Sequence, residues 1–140
     1  MAEFLKYEQN GGIVTLTMNQ PETRNALTGN TAVDEFVAVA RRIATDMSVR
    51  VVILTGAGPV FSSGGNVKDM RRFFDDALTP AAIREEYRNG IQRLALAVYN
   101  LEVPAIAAGN GPAIGAGCGL SWMCDIRIAG GPTTATHSAT

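Results

Sequence analysis

Between Phe4 and Glu8, and again between Ile13 and Met18, apolar and polar residues alternate, the period of a strand buried on one face. The intervening Asn10-Gly11-Gly12 tolerates positive φ, so the two runs predict a β-hairpin with Val14, Leu16 and Met18 on its buried face. Asn19–Leu27 (NQPETRNAL) has the composition of a loop, and Thr28 is the expected cap of the helix after it. From there the period changes. Val33, Phe36, Val37, Ala40, Ile43, Ala44 and Met47 recur at three and four, which predicts an amphipathic helix. Arg50–Thr55 (RVVILT) is a β-branched run without alternation, expected to be covered on both faces as in a parallel sheet.

The second half repeats these periods. Asn66–Asp76 predicts a short helix with Met70, Phe73 and Phe74 inward and Arg71 and Arg72 outward. Thr79-Pro80 is a cap followed by proline at the first helical position. Ile83, Tyr87, Ile91, Leu94, Ala95 and Val98 then mark one face of a long helix ending near Asn100, weakened at Gly90 by about 1 kcal/mol relative to alanine. Pro104–Ala108 and Asp125–Ala129 predict short strands. A unit of strand, glycine-rich turn and helix therefore occurs twice, after 50–55 and after 105–108.

The two turns carry the candidate chemistry. Gly109–Asp125 (GNGPAIGAGCGLSWMCD) has five glycines and a proline in its first eleven residues, and Phe61–Lys68 reads FSSGGNVK. A glycine-rich turn feeding a helix leaves backbone N–H groups unpaired at the positive end of the helix dipole, a receptor for an anion or oxyanion. Small residues also permit close helix packing, and the sequence leaves both readings open. Nucleotide-binding templates are not met: Leu120 stands where G-x-G-x-x-G needs its last glycine, and no Gly-Lys-Ser/Thr occurs.

Composition narrows the classes. The 140 residues make at most one domain, with 46% hydrophobic and 18% charged residues, and the net charge of −1 gives no reason to expect nucleic acid or an anionic membrane as partner. No long apolar run or signal-peptide pattern occurs, and a cytoplasmic location is expected. Cys118 and Cys124 lie six apart, on different faces of one helix and without a companion ligand, so buried thiols are expected and no metal site.

Four ordered motifs resemble the enoyl-CoA hydratase/isomerase (crotonase) superfamily: Asn19–Leu27, the strand leading to Phe61–Lys68, Val103–Ala107 (VPAIA), and Asn110-Gly111 through Cys124-Asp125. The resemblance spans about residues 3–129 and implies an α/β fold, the family's repeated ββα spiral of parallel sheets flanked by helices. It implies a core over 1–129, without the family's C-terminal helical part, and a disordered or non-native tail over 130–140, where the composition turns to Thr and Ala. An acyl-CoA thioester is the implied ligand, with coenzyme A part of the substrate and no separate cofactor. The two oxyanion-hole amides map onto Gly65 and Ala116. Arg24, Ala26 and Leu27 are implied on the coenzyme A side, Gly64, Asn66 and Val67 beside the thioester, and Lys68 near the nucleotide, with Gly115 and Gly119 also at the substrate.

Hydratases of the family use two glutamates, and the first should stand where this chain has Gly119, which can neither give nor take a proton. The second belongs to a segment this chain does not carry, so the resemblance implies an isomerase-like member more than a hydratase. Asn66 also replaces the family's common Asp. The alternative is an inactive acyl-CoA-binding or interaction fragment. A homo-oligomer, a trimer or hexamer in the full-length family, is implied, and uncovered apolar surface is expected to promote self-association. A serine hydrolase built on Ser121, Asp125 and His137 fails the G-x-S-x-G requirement, because the chain reads Gly119-Leu-Ser-Trp-Met123.

Overall fold

The computed structural model describes residues 3–131 and 135–136. The predicted hairpin forms from β1 (Leu5–Asn10) and β2 (Ile13–Met18), antiparallel in the register Leu5↔Met18 to Asn10↔Ile13, with Val14, Leu16 and Met18 buried. A single 3-10 turn at Pro21–Thr23 precedes α1 (Ala32–Thr45), after which β3 (Val51–Gly56) returns parallel to β2. α2 (Val67–Asp75), α3 (Pro80–Asn89) and α4 (Ile91–Tyr99) follow, then β4 (Ala105–Gly109), β5 (Ala113–Ile114), α5 (Ala116–Met123) and β6 (Ile126–Ala129). The main sheet has the order β1-β2-β3-β4-β6, parallel from β2 onward.

Each parallel strand is followed by a short piece of a second layer. Ala26 bridges Gly64, Ser62 bridges Ala113, and β5 pairs in parallel with β7 (Ala135–Thr136). This stacking of strand, cross-bridge and helix is the ββα spiral, with parallel strands flanked by helices. Of the expected 130–140 tail, the described residues are 130–131 and 135–136, and His137 lies outside them.

The core sits between the sheet and the helices. Phe4 and Phe36 are buried with ring centroids 6.4 Å apart, and α1 packs on α4 through an interior that includes Ile43, Leu94 and Val98. Each such side chain contributes about 1.5–3 kcal/mol of apolar transfer. Glu35 anchors the N-terminal strand to this helix: its carboxylate accepts the N–H groups of Phe4 and Leu5 at 3.0 and 3.1 Å, and the Thr31 hydroxyl. Among the described residues no helix is long and apolar enough to cross a membrane.

Several expectations are corrected. Thr28 does not cap α1: the helix begins at Ala32, whose N–H is taken by Asn30 Oδ1 at 3.0 Å, while Thr28 Oγ1 accepts the Asn66 N–H at 2.8 Å. Met47 is 92% exposed, because the chain leaves the helix at Asp46, whose carboxylate collects the Ser48 N–H and hydroxyl. β3 is fully buried only on the Val52–Leu54 face, and Val51, Ile53 and Thr55 are half-buried. Phe74 is 85% exposed, because α2 lies on the rim of the molecule and buries no residue. The long helix expected to Asn100 is two helices, broken at Gly90, where ψ is −113°.

Candidate functional site: two glycine turns on one cavity

The parallel pairing of β3 with β4 sets the turns after both strands at the same end of the sheet. They meet at Gly64. Its φ is +80°, and a Cβ there would lie 2.5 Å from Ile114 O and 2.8 Å from Ala116 N, so only glycine lets the two turns touch. Gly115 (φ 53°, ψ −121°) then swings the chain into α5 and makes Ala116 the first helical residue.

Ser62 and Asn25, both fully buried, hold this junction. Ser62 Oγ donates to Asn25 O at 2.8 Å and accepts from Gly64 N at 3.1 Å. The Asn25 amide donates to the carbonyls of Ala57, Val60 and Phe61 at 3.0–3.2 Å and accepts the Gln20 N–H at 3.0 Å. Both residues lie inside sequence motifs that assign neither of them a role. A polar side chain within a glycine-rich or proline-rich loop was the available signal.

A cavity of about 740 Å³ opens in front of the turns. Gly65, Asn66, Val67, Gly115, Ala116 and Leu27 line it, which brings together six of the residues singled out from the sequence. The N–H groups of Gly65 and Ala116 have no acceptor among the described residues. Asn66 is the N-cap of α2, accepting the Lys68 N–H at 3.0 Å, a contact that asparagine makes as an aspartate would.

The other five stand apart from the cavity lining. Gly64 and Ala26 are buried behind it, bridged to each other. Arg24 and Lys68 are exposed, Arg24 in a left-handed conformation at φ 56°. Gly119 lies in α5, its N–H donating to Gly115 O at 3.0 Å, and a Cβ on it would meet nothing within 4 Å. Two carboxylates that sequence reading did not single out do border the cavity: Asp69, and Glu86, which pairs with Arg72 at 3.0 Å.

The remaining candidates resolve simply. Ser121 Oγ donates to Cys118 O at 2.7 Å inside α5. Cys118 and Cys124 are buried free thiols. Burial, assisted by the neighbouring Asp125 charge, pushes the Cys124 thiol up to about 11.

The family model for enoyl-CoA hydratase/isomerase matches residues 8–139. A Thermus thermophilus protein provisionally named as an enoyl-CoA hydratase is 34% identical over 122 residues, 86% of this chain and 46% of its own length. A 4-chlorobenzoyl coenzyme A dehalogenase from Arthrobacter sp is 30% identical over 131 residues, 89% of this chain and 44% of that protein. Among solved structures, an enoyl-CoA hydratase/isomerase from Xanthobacter autotrophicus Py2 superposes with a TM-score of 0.85 at 28% identity, covering 98% of this chain and 49% of that one. The chain thus spans about half the length of the relatives it matches, and with its spiral fold and paired glycine turns it belongs to the enoyl-CoA hydratase/isomerase family.

Proposed function

We propose that the cavity binds an acyl-CoA thioester and that the Gly65 and Ala116 amides hold the thioester oxygen as it becomes an enolate. The observation that carries this reading is the pair of acceptor-free N–H groups, supplied by two turns in backbone contact and both bordering one cavity. Donors fixed in place before reaction stabilise developing charge without reorganising, and removing one typically costs about two to three powers of ten in rate. A relative named for hydratase chemistry and another named as a dehalogenase of a coenzyme A thioester support a shared thioester site over any one reaction. Gly119 supplies no carboxylate, so the reading favours isomerase-like proton transfer over addition of water. On this reading coenzyme A enters as part of the substrate, with no separate cofactor. The alternative, an acyl-CoA binder without turnover, shares the cavity and differs only in lacking a base.

Calorimetric titration with a non-reactive acyl-CoA tests the reading in three chains: wild type, Gly65→Pro and Ala116→Pro. The Ala116 variant is the cleaner one, because proline at the first helical position removes the N–H while suiting the helix. Weaker binding in both variants, with melting temperatures unchanged, is the expected result. Equal affinity in all three chains would mean that the amides do not receive the thioester oxygen.

A further inference from the structure

The cavity holds one carboxylate that the fold leaves without a partner. Asp69 occupies the third position of α2, where an acid commonly turns back to accept the N–H of the N-cap residue. Here that N–H, on Asn66, is already taken by Thr28 Oγ1 at 2.8 Å. The Asp69 side chain points instead towards Gly29, where a Cβ would lie 2.6 Å from Oδ2. Oδ2 is buried and has no hydrogen-bond partner, the only such side-chain atom among the described residues. An orphaned carboxylate oxygen has a desolvation cost and calls for an explanation beyond packing. The second carboxylate at the cavity, Glu86, is held by Arg72.

We propose that Asp69 is the acid–base residue of this cavity, moving a proton on the acyl chain whose thioester oxygen the Gly65 and Ala116 amides receive. The proposal rests on the thioester reading above. In the step, an Asp69 carboxylate oxygen takes a proton from the carbon next to the thioester carbonyl. The C–H electron pair becomes the new C=C bond, and the carbonyl π pair moves onto the oxygen facing the two amides. Protonated Asp69 then returns the proton, either to the same carbon or, in a 3-enoyl chain, to the carbon two further on. The carboxylate is regenerated and no other reactant is consumed. Asp69 lies four residues after Gly65, and both border the cavity, Gly65 with Thr28 Oγ1 near it and Asp69 against Gly29, so oxyanion donor and base come from one turn and the first helical turn after it.

The test follows butyryl-CoA in D2O by NMR, reading loss of the proton next to the carbonyl, alongside calorimetric binding of the same molecule. The 140-residue chain is expected to bind and exchange. Asp69→Asn is expected to bind with affinity within about threefold while exchanging at least a hundredfold more slowly, the low end of what general-base removal costs. Asp69→Glu should recover part of the exchange. A residue that only supports the N-terminus of α2 would lower the melting temperature of Asp69→Asn and leave exchange at the wild-type rate, which overturns the proposal. Binding without exchange in the wild type also overturns it while leaving the thioester reading intact. Absence of binding in the wild type removes both together. If Asp69→Asn does not fold, the pH profiles of wild type and Glu86→Gln decide: an exchange rate that falls as a carboxylate protonates in both chains supports Asp69, and a flat profile, or a fall that is lost in Glu86→Gln, overturns it.

Discussion

Gly111 and Gly119 are the same residue under opposite constraints. A Cβ at Gly111 would stand 1.9 Å from Pro59 O, a backbone atom that cannot move aside, whereas one at Gly119 meets nothing within 4 Å. Gly111→Ala should therefore destabilise the fold by about 2–3 kcal/mol through overpacking. Gly119→Ala should stabilise it by about 1 kcal/mol, since glycine inside a helix costs that much. Thermal melts of the two variants check both signs. The spacing of the two glycine-rich turns is legible in the sequence, but which glycine is sterically required depends on backbone from the other turn. Asn25 and Ser62 were hidden for the same reason: the carbonyls to which they donate lie 32–37 residues away. Asn25→Ala would leave one buried and two part-buried carbonyls without that donor and should cost about 2–3 kcal/mol, measurable by urea unfolding.

At the scale of elements, local period located the strands and helices well and said little about where helices stop or how they face. The apolar repeat continues through Gly90 in phase, because Ile83, Tyr87, Ile91, Leu94 and Val98 keep helical spacing. The break comes from a backbone conformation at Gly90 that periodicity does not register. This reverses the expected sign of a substitution. An unbroken helix predicts that Gly90→Ala gains about 1 kcal/mol. In the observed geometry the new methyl would meet Glu86 O at 2.8 Å, and a loss of about 1–2 kcal/mol is expected by differential scanning calorimetry. Phe74 misled for a related reason. Helical spacing identifies an apolar stripe but not whether a neighbour covers it, and α2 has its Arg72–Glu86 and Phe73–Tyr87 contacts to α3 without a core beneath.

The whole molecule is a sheet with unequal sides. Trp122, Ile126 and Ile128 are 52–63% exposed around β6, with Arg127 over the Trp122 ring at 5.1 Å. Concentration-dependent self-association is expected from this apolar surface, and Ile126→Lys with Ile128→Lys should reduce it in sedimentation velocity. Stability should also fall in alkali. Cys124 stays protonated in the folded state up to about 11 against an ordinary 9.0, so above pH 9.0 the unfolded chain releases that proton first and is favoured as the pH rises. Cys124→Ala should flatten the slope in melts taken between those values. One feature of the cavity wall reaches beyond equilibrium stability. Neither α2 nor α3 buries a residue, and the exposed ion pair between them is worth at most about 1 kcal/mol. Their amides should exchange with solvent by local opening while β2, β3 and β4 wait for global unfolding. A protease should then nick the chain between the two helices before it reaches the sheet, so the wall facing Gly65 and Ala116 can come and go on its own clock while those two residues stay in place.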